Sequence, residues 1–158
     1  TFNLNTSFLR LAYNDSNSAA GSALANLNLS TFDPTFSASV TNELSIGSKT
    51  VYGSASTANG TLVLGSNSTL SVGSATTPAN VYIGLNTTGA ASATGLLDAR
   101  QGSAVIRANE FNLGYAAAST GAATDIRLVS DATEPMVWPW LRASAAPEIM
   151  LCTVLLTA

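Results

Sequence analysis

Two glutamates carry the most evident capacity for chemistry in this sequence, because they stand in matching phrases. Glu43 lies in Asn42-Glu43-Leu44-Ser45-Ile46-Gly47 and Glu110 in Asn109-Glu110-Phe111-Asn112-Leu113-Gly114. Paired carboxylates can cleave glycosidic bonds, one as proton donor and the other as nucleophile or base. Acids are sparse here, with nine Asp and Glu in 158 residues. Two residues in the same slot of a repeated phrase are explained more simply by duplication, so no catalytic residue is assigned. Asp33, before Pro34, suits the start of a turn, and Asp98, near Arg100, suits a solvated ion pair.

Metal and nucleophile chemistry is narrower still. With no His and a single Cys152, the chain cannot build a Cys/His zinc site, an intramolecular disulfide or a Ser-His-Asp triad. The glycine-rich calcium rhythm Gly-Gly-x-Gly-x-Asp is absent, and only Asn14-Asp15-Ser16-Asn17 looks ligand-like. That stretch reads more simply as a loop, so neither a metal nor a cofactor is expected. The net charge of −3, with six cationic side chains scattered along the chain, makes no basic patch for phosphates, and nucleic acid is not an expected partner. No run of about 18 apolar residues is present to span a bilayer.

Binding residues remain. Tyr82 falls at the second position of Val81-Tyr82-Ile83-Gly84, which faces outward if Val81 and Ile83 face in. It is the candidate glycan contact, since an exposed ring can stack on a sugar. Tyr52 and Tyr115 also follow or sit within apolar phrases. Six Asn-x-Ser/Thr sequons begin at Asn5, Asn14, Asn28, Asn59, Asn67 and Asn86. Asn59, Asn67 and Asn86 are the candidate N-glycosylation sites if the source is eukaryotic. Asn67 and Asn86 are explained better as corner residues, where Asn tolerates left-handed backbone.

The elements that must position these residues are short strands. Ser, Thr and Asn number 52, and only 9% of residues are charged, against roughly 25% in an ordinary soluble domain. Hydroxyls and amides thus replace Lys and Glu on the outer face, as suits an all-β surface protein. The 46% hydrophobic content excludes a simple disordered polymer. A phrase of hydrophobic, any residue, hydrophobic, Gly occurs at 44–47, 62–65, 70–73, 81–84 and 111–114. It puts two apolar side chains on one face and ends in a residue free to turn.

Leu44, Leu62 and Val81 begin such phrases at spacings of 18 and 19, close to one coil of a solenoid, with Gly60, Asn67 and Thr77-Pro78 as corners. A longer echo overlies the short one. It runs 35 residues from Leu9 to Leu44 and 30 from Val81 to Phe111. Leu9 and Leu11 form a phrase without its terminal Gly. At the start, Phe2 and Leu4 predict a strand that turns at Asn5-Thr6-Ser7, and Phe36, Ala38 and Val40 alternate as a strand should.

After Thr124 the composition changes. The last 34 residues hold both Trp (Trp138, Trp140), both Met, Cys152 and three of the five Pro. This divides the chain into a repeat region, 1–124, and a C-terminal tail, 125–158, read as a cap, a docking segment or foreign sequence. Ile149 to Leu156 is an apolar run suited to pairing with a strand edge.

At Thr69-Leu70-Ser71-Val72-Gly73, Val81-Tyr82-Ile83-Gly84 and Ala93-Thr94-Gly95-Leu96-Leu97-Asp98, the chain resembles the repetitive passenger regions of bacterial autotransporter and filamentous-adhesin type proteins, over about 9–124. The resemblance implies a right-handed parallel β-helix, exported to serve as stalk, adhesin or surface layer. The expected fold is therefore all-β, a single-stranded parallel β-solenoid with an irregular C-terminal tail. The expected function is a non-enzymatic extracellular or cell-surface module, structural or adhesive, with a surface glycan or protein as ligand. Two alternatives stand beside it: a subunit of a self-assembling filament, joined through the solenoid ends, and a polysaccharide-active enzyme.

Overall fold

A computed structural model describes residues 1–15, 21–51, 56–87 and 92–115, together with the backbone of 122–123, 127–131 and 155–157. The described residues form strands and no helix. In chain order these are β1 (Phe2–Asn14), β2 (Ala23–Asn28), β3 (Phe36–Lys49), β4 (Ala58–Val63), β5 (Ser68–Val72), β6 (Ala79–Ile83), β7 (Ser92–Asp98), β8 (Ser103–Ile106), β9 (Ala108–Leu113), β10 (Ala122–Ala123), β11 (Arg127–Asp131) and β12 (Leu155–Thr157). Every pairing between them is parallel.

Two sheets result. In the first, β1 lies along one side of β3, while β5 takes the Phe36–Val40 half of the other side and β6 the Glu43–Ile46 part; β8 continues beyond β5 and β9 beyond β6. In the second, β2, β4 and β7 run side by side, β10 and β11 both pair with β7, and β12 pairs with β11. β3 packs against β4 and β7 across the interior.

Parallel register lines up identical positions of successive phrases as columns. Leu9, Leu44, Val81 and Phe111 form one column, and Leu11, Ile46, Ile83 and Leu113 the next. Leu44, Ile46, Val81 and Ile83 are fully buried, as are Ala58, Ala93 and Leu97 of the second sheet. Each such Leu, Ile or Val contributes roughly 1.5–3 kcal/mol by leaving water, which is how a chain with few charges holds together.

The columns correct the spacing read from the sequence. Leu44 lies beside Val81, 37 positions on, whereas Leu62 belongs to the second sheet. The 18- and 19-residue intervals separate different sheets. The longer echo is the true register, since Leu9 pairs with Leu44 and Val81 with Phe111.

Corners divide in the same way. Gly47, Gly73, Gly84 and Gly114 all have positive φ, from 64° to 70°, whereas Gly65 is not among the positive-φ residues. Leu62-Val63-Leu64-Gly65 therefore shares a spelling with the other phrases and not their turn. Gly60 is no corner either: it lies within β4, pairs with Gly95 of β7, and an added Cβ would strike the backbone N of Gly47 and, at 2.7 Å, the carbonyl O of Leu11. The two sheets meet there backbone to backbone. Asn67 and Thr77-Pro78 do lie between strands.

The expected turn at Asn5-Thr6-Ser7 is a register shift inside one long strand. Thr6 pairs with Val40 and Phe8 with Glu43, and the Thr6 hydroxyl both accepts from the Phe8 N–H (3.3 Å) and donates to its carbonyl (3.0 Å). A hydroxyl that satisfies the disturbed backbone locally lets the strand continue through the irregularity.

Beyond Thr124, the backbone of β11 continues the second sheet on β7, with Arg127 beside Leu96. Tyr52, Ser16, Asn17 and most of the tail, including Trp138, Trp140 and Cys152, lie outside the described residues.

Candidate functional site

The residues that alternate with the buried columns lie on the opposite face of the first sheet, where they collect the functional side chains, with Ser45 covered among them. Phe8, Glu43, Asn80 and Glu110 form one outer column; Arg10, Ser45, Tyr82 and Asn112 form the adjacent one. Successive members are about 4.8 Å apart, the spacing of neighbouring strands.

At the β1 end the Arg10 guanidinium is held on three sides. Its Nε donates to Glu43 Oε1 at 2.7 Å and its Nη2 to Glu43 Oε2 at 2.9 Å, a bidentate pair. The same group sits 4.9 Å from the Phe8 ring centroid and 4.2 Å from that of Tyr13. The Glu43 hydrogen bond holds Arg10 above its ordinary value, against a smaller opposing effect of burial. Phe8 is about half exposed, at 51%.

At the β9 end Glu110 is the centre. Tyr82 Oη donates to Glu110 Oε2 at 3.0 Å, and Asn112 Nδ2 donates to Glu110 Oε1 at 2.7 Å. Burial, then the Glu110 hydrogen bond and charge, push the Tyr82 phenol up to about 12. Tyr82 is half-buried while Val81 and Ile83 are fully buried, so its ring lies on the outer face.

Glu43 and Glu110 therefore share a column with Asn80 between them, two strand spacings apart. Each carboxylate is already engaged, one by Arg10 and the other by Tyr82 and Asn112. The sequence pattern identified both glutamates and Tyr82. It missed Arg10, Phe8 and Tyr13, whose phrase lacks the glycine and whose convergence depends on register across 33 residues.

The remaining candidates fall elsewhere. Asp98 and Arg100 form a pair at 2.6 Å, and the Arg100 hydrogen bond holds the Asp98 carboxyl below its ordinary value. Asn59 and Asn67 are exposed, and Asn67 Nδ2 donates to the Asp33 carbonyl at 2.7 Å, tying one corner to the corner before it. Asn86 is fully buried and bridges to Lys49. In the folded chain a glycan has room at Asn59 or Asn67 and not at Asn86.

Asn14, the first residue of the ligand-like loop, is also buried. Its Nδ2 donates to the Gly21 carbonyl at 2.7 Å, and its Oδ1 accepts from Lys49 Nζ at 3.3 Å. An ammonium thus stands where a calcium ion would need that oxygen, and burial pushes the Lys49 amine down despite the charge of Asp15. Among the described residues, no group of three or more His, Cys, Asp and Glu is placed to hold a metal ion, and no helix is long and apolar enough to cross a membrane.

No family model, curated protein or solved structure matches this chain.

Proposed function

We propose that the chain is a single-stranded parallel β-solenoid, right-handed as the passenger-region resemblance implies, and that it acts outside the cell as a non-enzymatic structural or adhesive module. The solenoid reading is supported by the parallel pairing and by offsets of 29 to 37 residues in every pair except β11 with β12. A chain that returns to each sheet after a near-constant length winds one coil per return.

The observation that carries the adhesive role is the outer face of the first sheet, where Phe8, Tyr13 and Tyr82 lie beside Arg10, Glu43, Glu110 and Asn112. Ring faces suit the C–H faces of a sugar, and the carboxylates and amide suit its hydroxyls. A surface glycan is the proposed ligand, with a surface protein as the second choice.

The test is a glycan-array measurement with the full chain. Binding without release of reducing ends is expected, weakened at least about tenfold by Phe8→Ser or Tyr82→Ser, as for aromatic anchors in other interfaces. Release of reducing ends would replace this reading with a polysaccharide-active enzyme. Absence of any glycan or surface-protein ligand would leave a structural stalk alone.

A further inference from the structure

The half-buried members of the core gather at the two ends of the stacked strands. Leu4, Leu9 and Leu11 of β1 and Leu27 of β2 mark one end; Ala104 and Ile106 of β8 and Ala108 and Leu113 of β9 mark the other. On the first sheet these ends occupy the same columns. Leu4 shares one with Ala104 through Ala38 and Leu70, and Leu11 shares another with Leu113 through Ile46 and Ile83.

Among the described residues, no strand pairs with the outer edge of β1, β8 or β9, whereas in the second sheet β12 continues beyond β11. β1 is 13 residues long, with Phe2 and Phe8 exposed. A long apolar edge of this kind is a template for another strand.

We propose that copies of this chain join head to tail through the first sheet, β1 of one copy docking in parallel beside β8 and β9 of another. Parallel docking at the register used inside the chain continues the columns of the first sheet across the junction. Leu9 and Leu11 then meet Phe111 and Leu113, and Leu4 and Thr6 meet Ala104 and Ile106. The backbone path matches as well, because Ala12 has φ of 56° and aligns with Gly114, whose φ is 70°.

Charge selects the same arrangement. Arg10 reaches diagonally to Glu43, the residue beside Phe8. Glu110 ends that same column, so an incoming β1 sets its Arg10 diagonal to Glu110 of the copy it joins. The guanidinium then lies between two carboxylates of opposite sign to itself, one from each chain. Such a contact is heterologous and does not close, so it propagates as a filament. It does not depend on what the outer face binds.

The experiment is sedimentation velocity of the full chain over a range of concentrations, with electron microscopy of the same samples. The expected result is a mass that rises with concentration and rods that lengthen without thickening. Glu110→Arg, which sets a second cation against Arg10, should weaken association about tenfold or more. Asn3→Pro gives an independent check. The Phe2 N–H donates to the Thr35 carbonyl, so the next N–H along the strand points to the outer edge, where proline blocks docking without removing a bond to β3. Circular dichroism confirms that each variant is folded. A monomer at every concentration, or association that neither variant weakens, overturns the proposal.

Discussion

β1 and β3 run side by side with nearly the same apolar pattern, yet their environments differ. Leu44 and Ile46 of β3 are fully buried, whereas Leu9 and Leu11, their partners on β1, are only half-buried. Gly47 ends the β3 phrase at φ of 64°, and Ala12 ends the β1 phrase at 56°. Glu43 is braced by Arg10, and the outer column at β1 carries an exposed Phe8 in its place. Among the described residues, β3 has a strand on both edges and β1 on one. In a stack of strands, the same phrase is core in the middle and surface at the end.

A charge buried at equivalent positions should cost far more in the middle of the stack than at its end. Ile83→Asp should lose the fold of the middle strands, costing on the order of 4 kcal/mol or more, because an unpaired carboxylate would sit at a fully buried site. Leu11→Asp, in the same column at the end of the stack, should cost about half of that or less, since its carboxylate can reach water. Urea denaturation followed by circular dichroism measures both. Equal costs would mean that the end strand is as enclosed as the middle.

The residues that end the two phrases should respond in opposite directions to substitution. Gly47→Ala should destabilise by about 3 kcal/mol, because it combines a left-handed backbone with a Cβ directed into the Thr94 carbonyl of the second sheet. Ala12→Gly should do the opposite and stabilise by about 0.5–1 kcal/mol, because it removes the left-handed penalty of a Cβ-bearing residue. Thermal melting of the two variants reads both signs.

The smallest effect concerns the outer face. The Tyr82 phenol ordinarily titrates near 10.0 and is raised to about 12 in the folded chain. Its contribution to stability is complete below 10.0 and is lost as pH rises through about 12, because the unfolded chain releases the proton first. Solvent screening keeps this below about 1 kcal/mol. A urea series across that range should show the decline in the parent chain and a flatter profile in Tyr82→Phe.

The inward and outward sides of each phrase were legible in the sequence, because alternation in a strand is a local property of backbone geometry. The echo between Asn42–Gly47 and Asn109–Gly114 likewise marked a shared column, although the sheet inserts Asn80 between Glu43 and Glu110. The shorter spacing misled, because Leu62-Val63-Leu64-Gly65 uses the same letters in the other sheet. The Arg10 cluster was not legible. Nothing local to Phe8, Arg10 and Tyr13 records that Glu43 will lie beside them.

Composition and phrase pattern alone determined that this chain forms short strands with small, polar outer faces and glycine-ended turns, since these follow from steric limits on single residues and their near neighbours. Tertiary structure decided which phrases share a sheet, which glycines turn and which let two sheets touch. It also brought Arg10 to Glu43 and Tyr82 to Glu110. Those outcomes depend on register between strands tens of residues apart, which is set by packing of the whole stack rather than by any segment within it.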